Sequence, residues 1–261
     1  MIIVHAVHTY WPVIGGMERG VQKFAESQAK LGHDVYVLTS TYGAGGRPLQ
    51  ERLNNVTIKR LKSIRFYYPD LTLPIKYPAS LFKVADVVHA HSQNSLFEIK
   101  IAEEAKKWGA KLTSYIISVD SLEMHPNILK RTIGSRIQKC FTNKMLSIVD
   151  VPLVKSLRDK KILEEKYGIT AHYIPDGIQK EYLTKPHDPN RFRENFQLYD
   201  DFILFIGRLH PAKGPQVIIK SLPLVTKKWP RLKAVFIGPG NKAWLERIAV
   251  KLKVREAVIF T

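Results

Sequence analysis

The run Phe202-Ile-Leu-Phe-Ile206 is apolar at every position and stops at Gly207, which opens a turn carrying Arg208 and Lys213 before Gly214. A strand apolar on both alternating sets of side chains has no face to give to water, so it reads as a strand buried in a parallel sheet. In such sheets ligands collect at the carboxyl ends of strands, and two cations placed there suit a phosphate.

The same pattern opens the chain. Ile2 to Val7 reads as a buried strand, followed by a loop with Trp11-Pro-Val-Ile-Gly-Gly16 and an amphipathic helix from about Met17 to Leu31. That helix gathers Val21, Phe24, Ala25 and Leu31 on one face, and Gly32 ends it. Asp34 to Thr39 is the second strand. Further strands are predicted over Val56–Leu61, Asp86–His91, Lys111–Ser118, Val149–Val154 and His172–Pro175, with helices over Leu96–Trp108 and Arg158–Lys166. Pro69, Pro74 and Pro78 mark an irregular region between them. Strand and helix alternating in this way predict an α/β fold with a doubly wound parallel sheet. The polar, proline-rich Lys185-Pro-His-Asp-Pro-Asn190 reads as an interdomain linker. Beyond it the alternation restarts with strand Phe202–Ile206, helix Pro215–Trp229, strand Leu232–Ile237, helix Ala243–Leu252 and strand Ala257–Phe260. Pro223 is predicted to kink or shorten the first of these helices. The expected organisation is a first domain over 1–184, a linker over 185–199 and one half of a second doubly wound domain over 200–261.

With 261 residues, 45% hydrophobic and 25% charged, the chain has the make-up of a globular protein with a sizeable core. No apolar run approaches the ~20 residues that cross a bilayer. The opening Met1-Ile-Ile-Val-His-Ala-Val7 lacks the features of a signal peptide, so a cytoplasmic protein is expected, with the inner face of a membrane as one place of work. Cys140 stands alone and cannot form an internal disulfide. The 41 Lys and Arg against 23 Asp and Glu leave a net charge of +18, which favours nucleic acid, an acidic membrane surface or a phosphorylated ligand, or is simply a solvated basic surface. No nucleic-acid-reading module is recognisable, and none is expected as partner. From about Ile128 to Leu146, Lys130, Arg131, Arg136, Lys139 and Lys144 interleave with Ile133, Ile137, Phe141 and Leu146. This basic amphipathic helix either lies on an anionic membrane or packs on the sheet with its lysines in water.

Taken in order, Gly15-Gly-Met-Glu18, Gly32-His-Asp-Val35, Asp86-Val-Val-His-Ala-His91, Asp150 with Ser156, Ile174-Pro-Asp-Gly-Ile178, Gly207-Arg-Leu with Lys213-Gly, and Gly238-Pro-Gly240 resemble the retaining GT-B glycosyltransferases of family 4, the glycosyl transferases group 1. The resemblance covers nearly the whole chain. It implies two Rossmann-like domains, an acceptor-side one complete here and a nucleotide-sugar-binding one present as its first half. The implied activity is transfer of a sugar from a UDP- or GDP-sugar, with retention and without a metal, to a hydroxyl of a glycan or lipid-linked acceptor. No DxD-type acidic motif stands in a plausible loop.

Sugar transfer from a nucleotide diphosphate builds negative charge on the departing phosphate, so cations are needed there. Arg208 can fork two oxygens and Lys213 can supply a mobile point charge. Both are assigned catalytic and donor-binding roles, with Gly207 and Gly238 as donor-side backbone. Gly15 and Gly16 either bring backbone N–H groups to a phosphate at the helix start or merely make a tight turn. Glu18 either meets the acceptor or steadies the helix start. His89 and His91 alternate on one strand, yet no acidic or thiol group completes a metal site, so no metal is expected. His91, at the carboxyl end, is the acceptor-side candidate. Where relatives carry a catalytic histidine this chain has Val119 and Asp120, and Asp120 either substitutes as a hydrogen-bond acceptor or caps the next segment. The family's Asn-Gly-Val-Asp turn is Asp176-Gly-Ile-Gln179. The later E-x-x-x-x-x-x-x-E segment of relatives is absent, so two alternatives stand beside the enzyme. One is a non-catalytic remnant or subunit needing a second polypeptide, and the other is a basic nucleic-acid-binding protein.

Overall fold

β1 (Ile2–Ala6) lies in the middle of the first sheet, with Val4, Ala6 and His5 wholly buried. The computed structural model describes residues 1–66, 71–123, 125, 127–178, 180–184 and 188–261, and the chain divides into two units, Met1–Ile178 and Gln179–Thr261. In the first unit β1 is followed by α1 (Gly16–Lys30), β2 (Asp34–Ser40), β3 (Gln50–Leu53), β4 (Val56–Leu61), β5 (Ser63–Phe66), β6 (Leu71–Pro74) and α2 (Ala79–Val84). Then come β7 (Val87–Ala90), α3 (Leu96–Lys107), β8 (Lys111–Tyr115), a π-helical turn (Lys130–Gly134) running into α4 (Ser135–Leu146), β9 (Val151–Val154), α5 (Leu157–Tyr167) and β10 (His172–Tyr173).

The strands make one sheet in the order β10-β9-β8-β7-β1-β2-β4-β3, parallel except for the antiparallel β3–β4 pair. His5 of β1 registers with Val37 on one side and His89 of β7 on the other. The helix after β1 and the helix after β7 leave to opposite faces. Val21 and Ala25 of α1 pack with Val7, Val35, Val37 and Ile58, whereas Phe97 and Ile101 of α3 pack with Val4, Ala6 and Val88. That reversal at the β1–β7 pair is the topological switch point of a doubly wound sheet, where a crevice opens at the strands' carboxyl ends.

The irregular region predicted around the prolines is more ordered than its composition indicated. Ser63–Phe66 and Leu71–Pro74 pair as an antiparallel hairpin, and Pro78 caps the short α2; Pro69 lies outside the described residues. β3, Gln50-Glu-Arg-Leu53, shows no apolar alternation and was not expected. It is held instead by Arg60 of β4, whose nearly buried guanidinium donates to the Glu51 carboxylate and to the backbone oxygens of Pro48 and Trp11. The basic stretch also differs from one continuous amphipathic helix. α4 packs on the core through Thr142 and Met145, while Ile128, Leu129 and Ile133 at and before the π turn stand 66%, 62% and 51% exposed.

The second unit carries α6 (Glu181–Thr184), α7 (Pro189–Asn195), β11 (Phe202–Ile206), a 3₁₀ turn (Pro211–Lys213), α8 (Pro215–Lys228), β12 (Lys233–Ile237), α9 (Ala243–Lys251) and β13 (Val258–Phe260). Part of the segment read as linker therefore forms α7, capped by the Asp188 side chain; residues 185–187 lie outside the described residues. The three strands are parallel in the order β11-β12-β13. Pro223 does not end α8, which continues to Lys228, and the fully buried Ile219 and Leu222 anchor the turn before the proline. The loops after β11 and β12 touch backbone to backbone. Gly238 sits at φ +146°, and a Cβ there would lie 2.1 Å from the Gly207 oxygen. Both the left-handed backbone and the missing side chain are required. Gly238→Ala should therefore lower the stability of the second unit by about 1–3 kcal/mol or more, seen as a shifted urea midpoint; an unshifted midpoint would contradict this close approach.

Candidate functional site

In the second unit the loop between β11 and α8 holds both predicted cations. Gly207 N–H donates to the Ile237 oxygen at 2.9 Å and Leu209 N–H to the Pro239 oxygen at 2.9 Å, which fixes this loop to the one after β12. The His210 ring accepts from Ala212 N–H at 3.2 Å and caps the 3₁₀ turn, and Gly214, left-handed at φ +77°, leads into the fourteen-residue α8. Arg208 and Lys213 are exposed on this frame, and neither has an acidic partner among the described residues. The positive end of α8 and two unneutralised cations share one short loop, a combination that attracts an anion. Gly207 and Gly238, predicted as donor-side glycines, prove to be each other's packing partners.

In the first unit the residues after β1 meet the start of α1 and the start of α3. Gly15 is the residue before α1, and the Glu18 side chain folds back over it so closely that a Cβ on Gly15 would lie 2.1 Å from Glu18 Oε2. Glu18 Oε1 accepts from the Thr9 hydroxyl at 2.6 Å. Glu18 therefore ties the helix start to the β1 loop. A Cβ on Gly16 would meet nothing within 4 Å.

The structure places His91 away from any open surface. It is buried in an aromatic cluster with His5, His89 and Tyr115, against which the partly exposed Phe24 of α1 packs. His5 Nε2 bonds the Gln28 side-chain oxygen at 2.7 Å and so carries the proton there, which leaves Nδ1 to accept from His91 Nε2–H at 2.9 Å. Strand alternation correctly aligned His89 and His91, but sequence spacing gave no sign that Phe24 and Tyr115 would close over them. Burial pushes His5 down to about 4 and holds His89 and His91 well below the ordinary histidine value.

Asp120 is taken up as well. Both its oxygens accept from Arg158, at 2.8 and 2.7 Å, and that guanidinium holds the Asp120 carboxyl below its usual range. Its loop is fixed from beneath. Asp159 in the first turn of α5 accepts from the N–H groups of Ser118 (3.2 Å) and Val119 (3.3 Å), and Gln138 donates to the Ser118 oxygen at 2.7 Å. Ser118, at φ +53°, is the strained residue those bonds secure.

Two residues with no part in the sequence reading complete the carboxyl end of β1. Glu98, in the first turn of α3 and wholly buried, accepts at Oε1 from His8 N–H (3.2 Å) and meets His8 Nδ1 at 2.9 Å, while its Oε2 has no hydrogen-bond partner. The only sequence signal was Ser95-Leu-Phe-Glu98, the spacing of a capping box. Among the described residues, no cluster of three or more His, Cys, Asp or Glu could hold a metal ion, and no helix is long and apolar enough to cross a membrane.

An eight-stranded doubly wound sheet in the first unit and a parallel three-stranded α/β sheet in the second are the parts of a GT-B type of glycosyltransferase. The profile described as Glycosyltransferase Family 4 matches residues 14–182 and that of Glycosyl transferases group 1 matches 186–261, and the chain belongs to this family. It is similar to the phosphatidylinositol N-acetylglucosaminyltransferase GPI3 subunit of Saccharomyces cerevisiae, 23% identical over 89% of this chain and 52% of the relative. It is also similar to the D-inositol 3-phosphate glycosyltransferase of Acidothermus cellulolyticus, 23% identical over 94% of this chain and 60% of the relative. Among solved structures, the sucrose-phosphate synthase of Thermosynechococcus elongatus superposes with a TM-score of 0.75 at 13% identity, covering 100% of this chain and 70% of that one. The chain thus spans between half and two thirds of the length of these curated relatives.

The buried histidines set a pH dependence. Between the ordinary value of 6.5 and about 4, the unfolded chain binds a proton at His5 that the folded chain excludes, so stability falls as pH falls through that window and is fully restored above it. From His5 alone the loss is on the order of 3 kcal/mol. Urea midpoints measured across the window should show it, and His5→Gln should flatten the slope; a wild-type midpoint independent of pH would refute the neutral buried cluster.

Proposed function

We propose that this chain is the core of a retaining glycosyltransferase that moves a sugar from a UDP- or GDP-sugar to a hydroxyl of a lipid-linked or glycan acceptor. The donor's diphosphate binds at the start of α8, and Arg208 and Lys213 take up the negative charge that develops as the bond from the anomeric carbon to the phosphate oxygen breaks. The observation that carries this reading is the pair of exposed cations without acidic partners among the described residues, on a loop whose backbone is pinned to its neighbour. With that charge met by protein cations, the reaction requires no metal. The acceptor-side domain is assigned to 1–184, the linker to 185–199 and the donor-side half-domain to 200–261.

Gly15 and Gly16 shape the acceptor side at the head of α1. Both relatives described above carry inositol in their names, one as its phosphate and one as a lipid, which supports an inositol-phosphate headgroup as the acceptor class. The net charge of +18 suits such an anionic substrate and an anionic membrane that presents it. The exposed Ile128, Leu129 and Ile133 beside Lys130 and Arg131 are the contact surface for that membrane, on its cytoplasmic side. One relative is termed a subunit, and this favours a second reading in which turnover requires a further polypeptide beside this chain.

Removing the charge at Arg208 (Arg208→Ala) should cut sugar transfer at least about a hundredfold in a mass-spectrometric assay with a panel of nucleotide sugars; unchanged turnover would remove Arg208 from the mechanism. In liposome flotation the protein should rise with anionic vesicles at low salt, and Ile133→Ser combined with Arg131→Ser should weaken that binding. Absence of flotation by the unaltered protein would end the membrane reading.

A further inference from the structure

The hairpin of β5 and β6 carries its polarity the wrong way round. Its rungs are Ser63–Pro74, Ile64–Leu73, Arg65–Thr72 and Phe66–Leu71, and Ile75 N–H donates to the Lys62 oxygen at 2.9 Å, so Lys62 and Ile75 form one rung more. Side chains alternate along a strand, and residues opposite each other share a face. One face therefore presents Ser63, Arg65, Thr72 and Pro74. Thr72 and Pro74 are buried, β6 packs against α3, and the Arg65 guanidinium lies over the Tyr42 ring at 5.5 Å. The other face presents Lys62, Ile64, Phe66, Leu71, Leu73 and Ile75. Ile64, Phe66 and Ile75 are each more than half exposed, and Leu71 and Leu73 are partly so.

An antiparallel hairpin with one solvated face puts its apolar set inward and its polar set in water. This one does the reverse, since five of the six outward side chains are apolar. A contiguous apolar face of this kind marks a surface that is covered when the protein works. Charge selects what covers it. The sixth outward side chain is Lys62, Lys76 follows Ile75 and is also exposed, and no acid stands among the six. Apolar side chains bordered by cations match the boundary between acyl chains and anionic headgroups, where lysine stems lie along apolar surface and hold their ammonium groups at headgroup level. A second copy of the chain is disfavoured on the same ground, because it would bring a further net charge of +18 to the contact.

We propose that the outward face of the β5–β6 hairpin docks on an anionic bilayer, with Ile64, Phe66, Leu71, Leu73 and Ile75 in the boundary between acyl chains and headgroups and with Lys62 and Lys76 on lipid phosphates. This rests on the reading of the chain as one that works at such a membrane, and it adds a second point of attachment to the one at Ile128, Leu129 and Ile133. Both lie in the first unit. Two attachments on one unit restrict how it turns on the surface, whereas a single one leaves it free to roll.

A fluorescent reporter on the hairpin tests this apart from turnover. Cys140→Ser removes the chain's one cysteine, and Phe66→Cys in that background takes an environment-sensitive label; Glu164→Cys, at an exposed position of α5, takes the same label as a control. With vesicles of phosphatidylcholine and phosphatidylserine at low salt, the label at position 66 should shift to the blue and lose access to an aqueous quencher, and the label at position 164 should do neither. Vesicles of phosphatidylcholine alone should leave both unchanged. Ile64→Ser combined with Phe66→Ser should weaken partition onto the anionic vesicles about tenfold at an unaltered thermal midpoint. If that variant does not fold, the label decides the matter. Protein that floats with anionic vesicles while the label at position 66 stays in water overturns the proposal and leaves the contact at Ile133 standing. An equal shift with phosphatidylcholine alone removes the lysines from the contact and overturns it too. A blue shift that grows with protein concentration in the absence of lipid assigns the face to a second copy instead. No flotation at all ends the membrane reading and this docking with it, while sugar transfer to a soluble acceptor, measured separately, decides the glycosyltransferase reading on its own.

Discussion

A buried carboxylate in the first turn of a helix, turned outward to the loop of a neighbouring strand, organises the carboxyl end of the first sheet. It occurs twice. Glu98 of α3 secures the residue after β1, and Asp159 of α5 secures Ser118 and Val119 after β8. In each case the carboxylate sits at the positive end of a helix, where its charge is least costly to bury. It offers acceptors to backbone N–H groups that the sheet has just released. Loops at the ends of parallel strands have no ladder bonds, so without such anchors their conformations would be set only by solvent. With them, a non-glycine residue is held in the left-handed region at Ser118, and an imidazole is held in one orientation at His8.

The two units solve the same problem differently. In the second, no acid among the described residues reaches into the loops after β11 and β12. The loops of β11 and β12 instead brace one another through direct bonds, Gly207 to Ile237 and Leu209 to Pro239, and through the absence of a side chain at Gly238. This leaves the cations of the β11 loop unneutralised, because the bracing uses backbone groups alone. The first unit instead engages acids at its strand ends, Asp159 on backbone N–H groups and Asp120 in the Arg158 fork.

Much of the fold was legible because apolar runs and glycine stops report on parallel strands. Val56–Leu61 and Phe202–Ile206 are strands where the pattern placed them, but the second is not buried on both faces as expected: β11 is an edge strand, and Leu204 and Ile206 stand 43% and 72% exposed. β3 was not legible, since its pairing depends on Arg60 and Glu51 meeting across a turn rather than on any periodicity of its own. The hairpin of β5 and β6 was hidden by Pro74, which sits at its end instead of breaking it. The place of Arg208 and Lys213 in the loop after β11 could be read because they follow a strand within a few residues. Glu98 and His8 could not, since ninety residues separate them and only the fold brings β1 beside α3. His91 shows the reverse case, in which spacing fixes which way a side chain points along a strand but not what covers it.

The contact between Gly207 and Gly238 has a mechanical meaning. With no side chain between them there is nothing to compress, so the first two loops of the second unit move as one piece or not at all. The exposed side chains of Arg208 and Lys213 are then long arms on a stiff mount. In the proposed site, a grip of that kind would sense how much charge it holds far better than the outline of whatever the charge is attached to.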